Sequence, residues 1–421
     1  MPGRFFVHNL GCKVNRAESD TITTALLCAG GISGSREDAD VVVINTCTVT
    51  AEAEAKTRKA IRRVAKDASH PWVIATGCAI AIDKEAYEAL GTRVIAEPDR
   101  LCAQQRALEL LGLSSRTDDS NEVVLCQGDG FHTRRGIKIQ DGCDNSCTYC
   151  VVRIARGPAV SMSLSDICRQ VQGADRQGIR EIILTGVNIG AYQYENQGLT
   201  ALIRKLLDST SKLRLRLSSL EPQHVSDELL ELMAESKGRL CAHLHLPLQS
   251  GCDRILREMG RSYDAGFYVE RVDRARALMP HLALTTDVIV GFPGESEMDF
   301  DESLTFCEER GFSRMHIFRY SGRPGTSSAQ MPEQVPSKTA AIRAAKMREL
   351  ADRLQALDVA GRVGHVETVL VERSGHATSE SYHRVEVPAK AQVGSLIPVK
   401  FIDCRDNLLY GSITGANGRW S

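Results

Sequence analysis

The chain has 421 residues, with 52 Lys and Arg against 53 Asp and Glu, and a formal net charge of −1. That balance excludes a global basic field, so any nucleic acid has to be held by local patches. Hydrophobic residues at 43% and charged residues at 25% are ordinary for a soluble globular protein, and the length corresponds to roughly two to four domains. No apolar run approaches the ~18 residues of a membrane span, and Met1 to Gly11 lacks the long apolar region of a secretory signal. With that start, 14 cysteines point to metal or thiol chemistry in a reducing compartment. A cytoplasmic protein with no membrane partner is expected.

Residues 1–113 read as alternating strands and helices. The strands are Phe5 to Val7, Val41 to Ile44 and Trp72 to Ala75, with helices from about Arg16 to Ala29 and Ala51 to Val64. Such alternation implies a doubly wound parallel sheet. Cys12, Cys47 and Cys78 each fall just past a strand's carboxyl end, where open α/β sheets bind ligands. They lie 35 and 31 residues apart, close to the ~30 residues of one βαβ unit. Three thiols at equivalent points of one sheet edge are expected to converge on a second cluster with an open iron; the competing reading is three buried cysteines acting as small hydrophobes. Cys28 and Cys102 fall within helical patterns and fit that competing reading. The helix after Cys47 carries Lys56, Arg58, Lys59, Arg62, Arg63 and Lys66. It is either a solvated face or a phosphate-backbone contact projecting from the cysteine-bearing edge.

Residues 114–130, polar and rich in Ser, Asp and Gly, read as a linker. A second alternating series fills 131–362. Its strands are Ile137–Gln140, Glu181–Leu184, Leu213–Ser218, Ala242–Leu246, Leu284–Val290 and Met315–Tyr320, a partial (β/α)6 barrel with its chemistry on the loops at the strand carboxyl ends. After the first strand comes Cys143-Asp144-Asn145-Ser146-Cys147-Thr148-Tyr149-Cys150. Its C-x3-C-x2-C loop suits an iron–sulfur cube. Such cubes normally take four thiolates, and with no fourth cysteine nearby one iron stays open, as radical chemistry with S-adenosylmethionine (SAM) requires. The rivals are a zinc loop or three unrelated buried thiols, but zinc ribbons favour paired C-x2-C knuckles. Tyr149 can offer a ring face to an adenine. At later strand ends, Gly186 permits close backbone approach to a ligand, Glu221 can pair with the SAM ammonium or a ribose hydroxyl, and Asn188 and Gln249 can hydrogen-bond adenine, ribose or carboxylate.

A long helix over about Ser337 to Val359 leads into 363–421, where short strands Thr368–Glu372, His383–Val387, Leu396–Phe401 and Leu408–Ile413 suggest a small antiparallel barrel. Turns are expected at Ser374-Gly375 and over Asp403 to Asn407. Six Lys and Arg balance six Asp and Glu there, so charge does not mark this barrel as an RNA binder.

Over nearly its full length the chain resembles the radical-SAM methylthiotransferases. The resemblance rests on two cysteine triads in order, on the Gly-Cys, Asn-Thr-Cys and Thr-Gly-Cys contexts, on Pro247-Leu248-Gln249-Ser250-Gly251, and on a C-terminal barrel like the family's TRAM domain. It implies that Cys143, Cys147 and Cys150 bind the SAM-cleaving 4Fe–4S cluster. It also implies that Cys12, Cys47 and Cys78 bind an auxiliary 4Fe–4S cluster carrying the sulfur to be inserted. Leu10 to Asn15, Ile44 to Thr50 and Ser218 to Pro222 look most like the branch acting on N6-threonylcarbamoyladenosine in tRNA. The alternatives are the isopentenyladenosine branch and the branch modifying an aspartate of a ribosomal protein; the latter usually has a proline soon after its first cysteine, where Lys13 and Val14 stand here. The implied partners are tRNA, an electron donor and a sulfur source.

Overall fold

The computed structural model describes residues 3–67, 69–114 and 133–414; most of the expected linker lies outside them. The first unit is a five-stranded parallel sheet in the order Ile32–Ser33, Arg4–Asn9, Val41–Thr46, Trp72–Gly77, Val94–Ala96. Its central strand, Val-Val-Val-Ile-Asn-Thr, is buried throughout, as a parallel strand covered on both faces must be. Val41 and Val43 face Ile22, Leu26, Ala103 and Ala107 on one side. Val42 and Ile44 face Ile61 and Val64 on the other. The period of two along one strand thus sorts the flanking helices onto opposite faces. The first helix, Lys13–Cys28, begins directly after Cys12, three residues before the expected start. Cys28 and Cys102 are exposed, which overturns their reading as buried hydrophobes: both ride the solvent side of helices that bury other faces.

The second unit holds six parallel strands, Arg134–Lys138, Glu181–Thr185, Arg214–Leu217, His243–His245, Ala283–Val290 and Arg314–Arg319. The first three and the last three form paired runs, joined by parallel bridges Leu215–Leu240 and Ser219–His245. The result is an open arc in chain order. The 25-residue helix Ser337–Gly361 packs Ala344, Met347, Leu350 and Leu354 into the same core as Leu284, Val288 and Phe312.

The third unit is a closed five-stranded barrel, ordered Val366–Arg373, His376–Ser379, Arg384–Glu386, Leu408–Ile413, Leu396–Arg405. It differs from the expected antiparallel barrel in three ways. His376–Ser379 is an extra strand. Closure is made by a parallel pairing of Val385 with Leu409. And Leu396–Arg405 runs through the expected turn, because a register shift between Phe401 and Asp403 carries the pairing on to Arg405–Leu408. Only Asp406 and Asn407 turn, both at positive φ, as a tight two-residue hairpin requires.

Two buried charge clusters join the units. Glu18 of the first unit takes Lys138 and Arg156 of the second, each at 2.9 Å. Glu181 of the second holds Arg214 and Arg216, whose remaining donors bind Thr368, Thr378, Ser379 and Glu380 carbonyl oxygens of the barrel at 2.8–3.0 Å. Among the described residues no helix is long and apolar enough to cross a membrane.

Candidate active site

The sheet's register sets the first triad. Asn9 pairs with Asn45, and Thr46 with Gly77, so the strands end level and the residues after them share an edge. Cys12, Cys47 and Cys78 all line one cavity of about 570 Å³. Two buried asparagines tie the loops together. Asn15 Nδ2 donates to Asn45 Oδ1 and to Thr46 O, each at 2.8 Å, and Asn45 Nδ2 donates to Asn15 O at 2.9 Å. Gly77 sits at φ 99°, and a Cβ there would lie 2.5 Å from Asn45 Oδ1, so the position admits only glycine. Asn15 Oδ1 accepts from Cys12 Sγ at 3.2 Å, and Arg156 Nε donates to Cys78 Sγ at 3.2 Å. Burial pushes the Cys12 and Cys47 thiols up; metal binding has to displace those protons. Three convergent thiols with a guanidinium on one sulfur form a donor set that fits a cluster held by three thiolates.

The second triad lies on the loop after the first barrel strand. Gly142, at φ 66°, approaches Pro158 so closely that a Cβ would overlap its carbonyl oxygen at 1.8 Å. Cys143 N–H donates to Gly157 O at 3.1 Å, Thr148 N–H to Met259 O at 3.0 Å and Cys150 N–H to Cys147 O at 3.2 Å. The loop is thereby pinned at both ends with its cysteines half-buried. Burial raises Cys150 to about 11. Arg261 Nη1 donates to Cys147 Sγ at 3.1 Å, repeating the pattern of Arg156 on Cys78. Beside the loop is a smaller cavity of about 150 Å³, lined by Tyr149, Cys150, Gln249, Asp287 and Tyr320 among others. The two cavities have Val49, Val152, Asp287 and Phe318 in common. The Cys12, Cys47 and Cys78 cavity and the cavity lined by Cys150 are therefore neighbours that share part of their walls.

The structure sorts the remaining sequence candidates. Tyr149 and Gln249 line the smaller cavity, Tyr149 standing edge-on to Phe292 and Gln249 in the left-handed region at φ 68°. Gly186 lines the larger cavity, but a Cβ there would meet Gln140 O at 2.8 Å, so its own neighbour already demands a glycine. Glu221, expected to meet an ammonium or ribose, is ion-paired with Arg261. Asn188 is buried and lines neither cavity; its backbone N–H donates to Gln140 Oε1 at 2.9 Å, while its side-chain Oδ1 is buried without a hydrogen-bond partner. The basic helix projects from the cysteine-bearing edge, as expected. It starts at the cysteine-bearing edge and runs away from it, so Lys59, Arg62 and Arg63 are exposed on its later turns. Lys56 is paired with Glu52 at 2.8 Å and Arg58 with Glu54 at 2.7 Å. Arg156, Arg261, His243, His245, Arg314 and Tyr382 line or border the site without any local sequence signal, since they arrive there from elements far apart in the chain.

A model of the Radical SAM superfamily matches residues 137–307, and one of Uncharacterized protein family UPF0004 matches residues 4–95. In fold, the chain is similar to the radical S-adenosylmethionine methyltransferase TsrM from Kitasatospora setae. The TM-score is 0.54 at 14% identity, covering 75% of this chain and 72% of that one. The fold and the two thiol sites define a radical-SAM enzyme. The chain is 32% identical to threonylcarbamoyladenosine tRNA methylthiotransferase MtaB of Chlamydia pneumoniae, over 98% of both chains. It is 31% identical to tRNA-2-methylthio-N(6)-dimethylallyladenosine synthase of Endomicrobium trichonymphae, over 97% of this chain and 99% of that one. The chain belongs to the radical-SAM tRNA methylthiotransferases, a family that uses SAM and two 4Fe–4S clusters.

Proposed function

We propose that the chain methylthiolates C2 of N6-threonylcarbamoyladenosine next to the anticodon of tRNA, in the cytoplasm, with an external electron donor and sulfur source. The observation that supports this most is the shared wall of the two cavities, because it sets a base in the larger one, beside Cys12, Cys47 and Cys78, next to the space lined by Cys150. When bound, the clusters and SAM supply the one-electron chemistry that an unactivated C–H bond needs, together with the sulfur and methyl groups transferred. Cys143, Cys147 and Cys150 hold one cluster; Cys12, Cys47 and Cys78 hold the other. Arg261 and Arg156 place positive charge against Cys147 and Cys78 sulfur. Tyr149 and Gln249 orient SAM in the smaller cavity, and Gly186 borders the base. Val49, Val152 and Phe318, where the cavities meet, exclude water from a space in which a radical must not be quenched. Lys56, Lys59, Arg62 and Arg63 meet the tRNA backbone at the periphery.

The test is mass spectrometry of tRNA nucleosides from cells with and without the protein. The methylthio form of threonylcarbamoyladenosine should vanish on deletion and return with the wild-type chain but not with Cys47→Ala. Loss of the methylthio form of isopentenyladenosine instead would reassign the substrate; no change in either would refute the proposal.

A further inference from the structure

The larger cavity has a polar wall that the thiol site does not use. Lys13, in the first turn after Cys12, and Arg314, at the start of the last barrel strand, both line it, together with His243, His245, His316 and Tyr382. Among its lining residues the acid is Asp287, and His245 Nε2 faces that carboxylate at 3.4 Å. Arg156, also in the lining, is taken by Glu18 and Asp141 at 2.9 and 2.8 Å. Lys13 and Arg314 have no acidic partner among the described residues. What Lys13 does have is the Tyr382 ring, 5.0 Å below its Nζ. That ring comes from the C-terminal barrel and is held at φ 68°, between Arg216 at 4.6 Å and the His243 ring at 5.0 Å. An aromatic face steadies an ammonium but leaves its charge uncompensated. A second observation concerns His243, 1% exposed. Its Nε2 meets Thr285 Oγ1 at 3.1 Å, while its Nδ1 is buried with no hydrogen-bond partner.

We propose that Lys13 and Arg314 form the subsite that receives the carboxylate of the substrate's N6 substituent, with Tyr382 positioning Lys13 and His243 Nδ1 meeting a polar atom of the same substituent. This rests on the threonylcarbamoyl reading of the function and names the residues that enforce it. A guanidinium and an ammonium on one wall match a carboxylate, and the planar fork of Arg314 can bind both of its oxygens. An isopentenyl group, being hydrocarbon, would desolvate both cations and His243 and return no hydrogen bond. The same wall therefore attracts one substituent and rejects the other.

The experiment measures binding of anticodon stem-loop RNAs carrying either threonylcarbamoyladenosine or isopentenyladenosine to the full chain with both clusters loaded, by fluorescence anisotropy. Wild type should prefer the threonylcarbamoyl RNA by roughly 10–100-fold, the range expected for hydrogen bonds to charged groups. Lys13→Met and Arg314→Met should each weaken that RNA alone and bring the two affinities to within about threefold, whereas Arg314→Lys should keep only part of the preference, because the charge remains but the two-pronged fork is lost. Arg314 is exposed, so its replacement tests the idea even if Lys13→Met folds poorly. A preference that survives in both Met variants overturns the subsite and leaves the substrate reading intact. Equal weakening of both RNAs also overturns it, making the cations phosphate contacts. A wild-type preference for the isopentenyl RNA overturns the substrate reading and the subsite together.

Discussion

Glu18 and Glu181 stand in similar positions at the two seams of the molecule. Each is a carboxylate among guanidinium groups, 5% and 0% exposed respectively, and at each site burial alone would raise the pKa. Arg156, Lys138 and Arg100 outweigh burial at Glu18. Arg216 and Arg214, with Arg134, outweigh it at Glu181. Both acids are held below the ordinary carboxylate range. The difference lies in where the arginines go next. Arg156 continues from Glu18 to Cys78 Sγ at 3.2 Å. Arg214 and Arg216 continue from Glu181 to backbone carbonyls of the small barrel, and Arg216 to the ring of Tyr382. The first seam couples domain docking to a sulfur of the site. The second couples docking to position alone, and what it positions is Tyr382 in the larger cavity.

The largest expected effect comes from breaking the second seam. Glu181→Gln keeps the shape but leaves two buried arginines without an anion, which should cost about 3–5 kcal/mol. Denaturant unfolding measures the loss, and iron bound per folded chain should stay unchanged if the seam only docks. Next is Arg156→Met, which removes the contact to Cys78. Outer-shell partners of metal ligands are worth about 10–100-fold in metal affinity. Chelator challenge should therefore strip the cluster of the Cys12 triad that much more readily and spare the cluster on Cys143, Cys147 and Cys150. Equal loss from both sites would mean that Arg156 acts only through folding.

The smallest effect is on pH dependence. Asp141 shares Arg156 and Lys138 with Glu18, and although burial opposes it, these cations bring its pKa down from 3.8 to about 2. A depressed acid contributes stability that is complete above its unfolded pKa and lost as pH falls through its folded pKa. The first seam should thus be indifferent to pH above about 5 and lose about 1 kcal/mol by pH 3 from this group. Asp141→Asn should flatten that part of the acid-unfolding curve.

The two triads were legible because their signals are local. A cysteine one to three residues past a strand is placed by the strand, and the C-x3-C-x2-C loop carries its own spacing. The arginines that face the sulfurs were not legible. Arg156 and Cys78 are 78 residues apart, and Arg261 and Cys147 are 114 apart. Nothing around Arg156 or Arg261 differs from an ordinary surface arginine until the chain folds. Asn188 is the opposite case: a strand-end residue of the right type lines neither cavity, and its backbone N–H is held by Gln140, 48 positions earlier. The basic helix after Cys47 was legible as a helix, but its direction away from the cysteine edge follows from the parallel sheet, whose helices must return to the amino ends of the strands.

What the amino-acid sequence determined by itself is therefore the principal strands, the two groups of three thiols and the order of the three units. Periodicity and spacing act over a few residues, and the backbone hydrogen bonds that realise them are nearly independent of context. The tertiary structure decided which charges reach the sulfurs, which candidate ligand contacts face the cavity, and that a tyrosine from the last unit enters a space built by the first two. Those outcomes depend on desolvated contacts between residues far apart in the chain, and such contacts acquire their energy only once packing has removed the water between them.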